Sequence, residues 1–358
     1  MIESLARYVA IRSVSGQEAA LADAIEADLA EAGLRARRQA NNLLCELGDA
    51  PRPRLLLNSH LDTVPPGQGW SHDPWQPQVH DGRLSGLGAN DAKGCVVALL
   101  TTVLRLRELL NRGERLGGTV VLALTAEEEI NGQGLATILP ELSPLDAAIV
   151  GEPTGLVPMI AQRGLLVLRG VARGRSGHPA NTPPGSADNA IAVAARDLDT
   201  LAAFDWGPEH PLLGRCHAHP TRIYGGVANN VVPDTCEFML DVRTTPGETH
   251  GALYERLRAA FRSELCVHSE RLVPVETASD AAIVRAACRA RPGVSPAGSA
   301  AMSDMVFLAG VPAVKLGPGQ SARSHTPDEF ITADELEQGF ATYLQVVREY
   351  FALTGEQP

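Results

Sequence analysis

The apolar positions of this chain fall into two textures. Across residues 17–33, Leu21, Ile25 and Leu29 recur every fourth position and Gly33 follows, the spacing of one helical face with a C-terminal stop. Apolar runs of strand length then occupy residues 54–59, 119–125 and 147–150, with a helical stretch over 94–110 between the first two. Buried strands alternating with helices predict an α/β unit with a largely parallel sheet and helices on its faces. Ligands of such sheets collect at the carboxyl ends of the strands.

After Arg163-Gly164 the texture changes. Residues 165–172 read as a strand, 187–204 as a helix, 236–242 as a strand burying Cys236, Phe238, Leu240 and Val242 on one face, and 248–264 as a helix. This set predicts a small α+β domain, residues 165–274, inserted into a first domain made of 1–164 and 275–358. Thr332 and Glu335 form a capping box for a final helix whose buried stripe is Leu336, Phe340, Tyr343, Leu344 and Val347. A length of 358 residues is itself too great for one ordinary core.

Composition narrows the function classes. With 44% hydrophobic and 20% charged residues the chain is globular. A formal charge of −11 argues against nonspecific nucleic-acid binding, which needs a basic footprint. No apolar run reaches the length of a membrane span and the N-terminus lacks a signal-peptide layout, so a cytoplasmic protein is expected. Six cysteines lie far apart without a Cys-x-x-Cys pair, predicting reduced, mostly buried thiols. The only lysines are Lys93 and Lys315, a bias toward arginine that suggests a GC-rich bacterial genome.

The candidate chemistry lies in five short segments: His60-Leu61-Asp62, Asn90-Asp91-Ala92-Lys93-Gly94, Glu127-Glu128-Glu129, Gly151-Glu152-Pro153-Thr154 and His325-Thr326-Pro327-Asp328-Glu329. Borderline cations such as zinc take imidazole nitrogen and carboxylate oxygen, and a pair needs two terminal ligands each plus one carboxylate between. His60, Asp91, Glu129, Glu152 and His325 have the right types and number, and Glu128 is left over to handle protons. Three of the segments stand where a parallel sheet places its ligands: His60 closes the first apolar run, Glu127 to Glu129 close the second, and Glu152 follows the third by two residues. Gly-x-Ser-x-Gly, His-Glu-x-x-His and Gly-Lys-Ser/Thr motifs are absent, and Gly132-Gln133-Gly134 lacks the third glycine of a dinucleotide fingerprint.

In these motifs, their order and their gaps, the chain resembles the M20 family of metallo-aminohydrolases over nearly its whole length. The resemblance implies a Zn-peptidase-like catalytic domain, a ferredoxin-like inserted lid and dimerisation domain, and two divalent cations, zinc with cobalt as the alternative. It implies Asp91 as the bridging carboxylate, His60 and Glu152 on one cation, Glu129 and His325 on the other, Asp62 orienting His60 or a metal-bound water, and Glu128 as general base. Where the family often has Asp-Glu-Glu, this chain has Glu127-Glu128-Glu129.

In the inserted domain Gly177-His178 resembles the lid histidine that, in dimeric members, reaches the partner's active site and steadies the oxyanion. Asn230, in Gly225-Gly226-Val227-Ala228-Asn229-Asn230, and Arg243, in Asp241-Val242-Arg243, match substrate-binding positions. Arg243 could instead pair with Asp241 or Asp234 as scaffold. Gly317-Pro318-Gly319 could offer backbone N–H groups, Gly319 among them, to a substrate carboxylate, or be a simple turn.

The implied reaction is hydrolysis of a small N-acyl-L-amino acid by a homodimer, first of all N-acetyl-L-ornithine deacetylation in arginine biosynthesis. Alternatives are N-succinyl-diaminopimelate, acetyl-citrulline or acetyl-lysine, and a carboxypeptidase G-like dipeptide cleavage. A non-catalytic relative that binds metal or amino acids is the rival from another class.

Overall fold

Strands without polar alternation can be satisfied only with both faces covered. Thr119–Thr125, with five successive apolar residues, and Arg54–His60, with three leucines followed by Asn58, Ser59 and His60, are each buried from the second residue to the last. The computed structural model describes residues 1–130, 132–183 and 189–355. It divides the chain into two compact units, one of Met1–Ile160, Thr277–Ala297 and Ser303–Pro358, the other of Ala161–Glu276 with Gly298–Met302.

In the larger unit the strands Thr119–Thr125, Arg54–His60, Ala147–Val150 and Ala313–Lys315 lie side by side and parallel. Asn42–Gly48, antiparallel to Thr119–Thr125, extends this row on one side and is followed by Arg37–Gln39. On the other side Lys315 pairs antiparallel with Met159. The sheet is therefore mixed, with a parallel centre.

Helices cover this sheet. Lys93–Asn111 buries Cys95, Val96, Val97, Leu99, Val103 and Leu106, among others, and Ala19–Glu31 buries Leu21, Ala22, Ile25 and Leu29. Gly33, at φ +67°, turns the chain after the second of these. The last helix, Ala333–Gly355, begins at the expected capping box: Glu335 N–H donates to Thr332 Oγ1 (3.1 Å) and Thr332 N–H to Glu335 Oε2 (2.9 Å). Its buried stripe includes Leu336, Tyr343 and Val347 but runs on through Val346 and Tyr350, while Phe340 and Leu344 are only half-buried. A helix not foreseen, Ala282–Ala290, packs against it.

The smaller unit is a four-stranded antiparallel sheet in the order His217–Gly225, Thr235–Thr244, Gly164–Arg173, Glu264–Leu272. With the helices Ala190–Thr200 and His250–Ala260 the chain runs β-α-β-β-α-β, the split pattern of ferredoxin-like units. Asn189 and Thr249 cap the two helices through Ala192 N–H and Ala252 N–H. The foreseen start of the first helix, near 187, lies outside the described residues.

Thr235–Thr244 alternates as expected, with Cys236, Phe238, Leu240 and Val242 packed on Leu166, Leu168, Val193 and Leu257. The outer strands His217–Gly225 and Glu264–Leu272 were not foreseen. They are largely exposed edges, so their sequences carry no apolar period. Ile223 and Tyr224 on the first are 50% and 68% exposed, and Val227 beyond it 89%.

Among the described residues no helix is long and apolar enough to cross a membrane. All six cysteines are free; four are buried, Cys288 is half-buried and Cys266 is exposed.

Candidate metal centre

Sheet register brings the site together. His60 ends its strand opposite Thr125, and Asn58 pairs with Val150, so Glu152, two residues past Val150, comes level with His60. Asp91 stands one residue before Ala92, the N-cap of the helix Lys93–Asn111, near the positive end of the helix dipole, which favours a carboxylate. Glu128 and Glu129 lie in a turn that starts three residues beyond Thr125 rather than on the strand end itself, and Glu127 enters that turn at φ +57°. The left-handed region suits Asp or Asn better than Glu, which gives the Glu127 departure a local backbone cost.

The other three expected ligands lie around Asp91 and His60. His60 Nε2 lies 3.2 Å from Asp91 Oδ1 and 3.8 Å from Glu152 Oε1. His325 Nε2 lies 3.8 Å from Asp91 Oδ2 and 2.9 Å from Glu129 Oε1. One oxygen of Asp91 thus faces one imidazole and the other oxygen faces the second. His60, Asp91 and Glu129 each bring a ligand atom within 4.8 Å of the others. Donors bound at about 2.0–2.2 Å around one tetrahedral zinc sit roughly 3.3 Å apart, so this nitrogen and oxygen set fits divalent cations in type and in spacing.

Electrostatics points the same way. Burial drives Glu128 well above the ordinary carboxylate range, with Glu152, Asp304 and Glu129 adding to the rise and His60 opposing it. Burial and the charges of Asp91 and Glu129 push Glu152 up to about 8, against the pull of His60 and Lys315. The hydrogen bond that His325 donates to Glu129 raises His325 to about 9, burial opposing it. Burial alone would lower His60, but its bonds to Asp62 and Asp91 outweigh that and hold it well above its usual value. Four carboxylates are crowded around two imidazoles, and added positive charge is what such a cluster lacks.

Asp62 does more than sit beside His60. His60 Nδ1 donates to the Asp62 carbonyl (3.0 Å) and lies 3.5 Å from its Oδ1, which leaves Nε2 facing Asp91. The Asp62 carboxylate also accepts Glu128 N–H (3.1 Å), Glu129 N–H (3.0 Å) and Ser15 Oγ–H (2.7 Å).

A second buried carboxylate, Glu18, takes Glu127 N–H (3.2 Å) and Gly16 N–H (2.7 Å). Three successive N–H groups of the acidic turn are therefore held by two carboxylates. Glu18, the buried Asp304 that accepts Thr125 Oγ1–H, and the buried Lys315 near Glu152 were all missed as contributors to the site. Lys315 stood out in the sequence only as one of two lysines.

Gly319, at φ +84°, belongs to a loop docked on the ligand segments: a Cβ there would lie 2.4 Å from Asn90 Oδ1, and its carbonyl accepts Gly155 N–H. In the smaller unit His178 is exposed, and its Nδ1 accepts Ala180 N–H (3.2 Å). The neighbouring Gly177 carbonyl accepts Val232 N–H (2.8 Å), tying the His178 loop to the exposed stretch that carries Asn230. Arg243 takes the scaffold pairing considered above, with Nε and Nη2 donating to the two oxygens of Asp241 at 2.7 and 3.1 Å.

Comparison with known proteins agrees with this geometry. Residues 56–349 match the model of peptidase family M20/M25/M40. The chain is 29% identical to a succinyl-diaminopimelate desuccinylase from Alkalilimnicola ehrlichii, covering 97% of this chain and 98% of that protein. It is 30% identical to an acetylornithine deacetylase from Myxococcus xanthus, covering 92% of each. The crystal structure of the Bacillus subtilis YxeP protein, a dinuclear metal-binding peptidase from the M20 family, superposes with a TM-score of 0.75 at 18% identity, over 97% of this chain and 96% of that one. The chain belongs to peptidase family M20/M25/M40 and is one of its metallo-aminohydrolases.

Proposed function

We propose that the chain hydrolyses the amide bond of an N-acyl-L-amino acid with the help of two divalent cations, zinc or cobalt, and that N-acetyl-L-ornithine is its substrate. The observation that carries the two-cation reading is the division of the Asp91 oxygens between His60 and His325. His60 and Glu152 would complete one cation's protein ligands, Glu129 and His325 the other's. When bound, the cations polarise the acyl carbonyl and acidify the attacking water.

The chain's own groups supply the rest. Glu128 takes the proton of the attacking water on its carboxylate and returns it to the leaving amine nitrogen, so that amide and water become carboxylic acid and amine. Because Nδ1 of His178 already accepts a backbone N–H, the neutral ring carries its proton on Nε2, as a donor to the developing oxyanion must. Asn230, Arg243 and the loop at Gly319 would receive the amino-acid half. Asp241 occupies the Nε and Nη2 edge of Arg243 and fixes its plane, which leaves the Nη1 side to meet a substrate carboxylate.

The ornithine reading is supported by the stretch Leu316-Gly317-Pro318-Gly319 ahead of Ser324-His325 and by the Myxococcus deacetylase. The Alkalilimnicola desuccinylase favours N-succinyl-diaminopimelate as a second reading. Assays of the zinc- or cobalt-loaded protein on both compounds decide between them. Faster turnover of N-acetyl-L-ornithine is expected, and a preference for the succinyl compound would replace the first reading by the second.

We also place the enzyme in the cytoplasm as a homodimer joined through the smaller unit, whose edge strand His217–Gly225 leaves Ile223 and Tyr224 exposed. Sedimentation should return a dimer at assay concentrations. A fully active monomer would remove both the dimer and a role for His178 in the partner's site.

A further inference from the structure

We propose that Glu329 is a positioning residue that fixes the backbone of Asp91, an inference that rests on Asp91 being the shared cation ligand. Glu329 is 2% exposed and lies four residues beyond His325. Its Oε1 accepts the N–H groups of Asn90 (2.8 Å) and Asp91 (2.7 Å), and its Oε2 accepts Gly88 N–H (3.1 Å). Its own carbonyl accepts Gly86 N–H (2.9 Å) and Ser85 Oγ–H (3.2 Å). The strand Phe330–Thr332 continues the seam as an antiparallel partner of Arg83–Ser85.

Residues 83–91 and 329–332 are thus fastened together, with the carboxylate of Glu329 at the end that carries Asp91. Gly88, Asn90 and Asp91 sit in an irregular buried or half-buried loop, where sheet or helix cannot supply acceptors. One carboxylate with four lone-pair sites answers three donors at once, and no neutral side chain of that size can do so. Asn90 is held from its other end as well: its Oδ1 accepts Gln320 N–H (2.8 Å) and its Nδ2 donates to the Gln320 carbonyl (3.1 Å). Glu329 pins the backbone on the N-terminal side of the Cα of Asp91, and Lys93 N–H, donating to the Gly88 carbonyl (2.9 Å), closes the loop beyond it, so the Asp91 carboxylate has little freedom except about its own χ angles. The bonds of the Glu329 carboxylate go to backbone N–H groups and not to a ligand atom, so its effect on a cation runs through Asp91.

Glu329→Gln tests this. The amide keeps one acceptor oxygen but sets an N–H donor against a loop N–H, so the clamp opens at Gly88 or at Asn90 and Asp91. Zinc affinity, measured by competition with a chromogenic chelator, is expected to fall about 10–100-fold, the usual range for groups that orient a ligand. At saturating zinc, kcat should drop while KM stays close to that of the wild type.

A purely structural role would lower the melting temperature without moving zinc affinity, and a folded Glu329→Gln with wild-type affinity overturns the proposal. Glu329→Asp covers the case in which the amide variant fails to fold. It retains the charge, is one methylene too short to serve all three donors, and should also bind zinc more weakly; wild-type affinity in it overturns the proposal equally. A wild type that binds no zinc would instead sink the assignment of Asp91 as a ligand.

Discussion

Glu128→Gln should lower kcat by about 10²–10⁴-fold, the range that a positioned acid–base group supplies, and should leave the metal content at the wild-type level. The amide has nearly the shape of the carboxylate, so the turn that Asp62 holds through Glu128 N–H and Glu129 N–H is not disturbed. None of the ligand distances around Asp91 involves Glu128. Steady-state kinetics on the preferred N-acyl amino acid, with metal content from mass spectrometry, checks both halves. Turnover within tenfold of the wild type would eliminate Glu128 as the base.

The second large effect is expected at Asp91. Asp91→Asn keeps the volume and one acceptor oxygen but cannot offer two anionic oxygens to two cations. Metal content should fall from two ions per chain to one or none, and turnover should fall to that of metal-stripped protein. His60 loses a carboxylate partner in the variant, so its raised affinity for protons should fall too. Glu152 should move the opposite way from its wild-type elevation, back toward the ordinary carboxylate range, because the Asp91 charge is one cause of that elevation. Retention of two ions per chain with near-normal turnover would show that the bridge lies elsewhere.

The residues that sequence reasoning found are those whose chemistry is visible in a side chain at a strand end. His60 closes an apolar run and Glu152 follows another by two residues, and His60 Nε2 lies between Asp91 Oδ1 and Glu152 Oε1. The capping box at Thr332 and Glu335 was legible because two side chains at fixed spacing define it.

What escaped has a different physical basis. Glu18 and Glu329 serve backbone N–H groups, which every residue carries, so no residue type marks their partners. The strands His217–Gly225 and Glu264–Leu272 lie at sheet edges and expose most of their length, so no period of two is imposed on them. Whether Arg243 turns to Asp241 or Asp234 depends on strand geometry: two residues along one strand share a face, and the fork closes on Asp241. The acidic triplet was read as a strand end, but the left-handed Glu127 ends the strand path first and puts Glu128 and Glu129 in a turn.

Calorimetric titration of the metal-stripped wild type with zinc at pH 7, repeated in buffers of different ionisation enthalpy, tests the two-cation site most directly. Two zinc ions should bind per chain with release of protons. Without metal Glu152, pushed up to about 8, holds its proton at that pH, and a cation drives it off. A stoichiometry of one or none, or binding without proton release, would contradict a cation pair held by His60, Asp91, Glu129, Glu152 and His325.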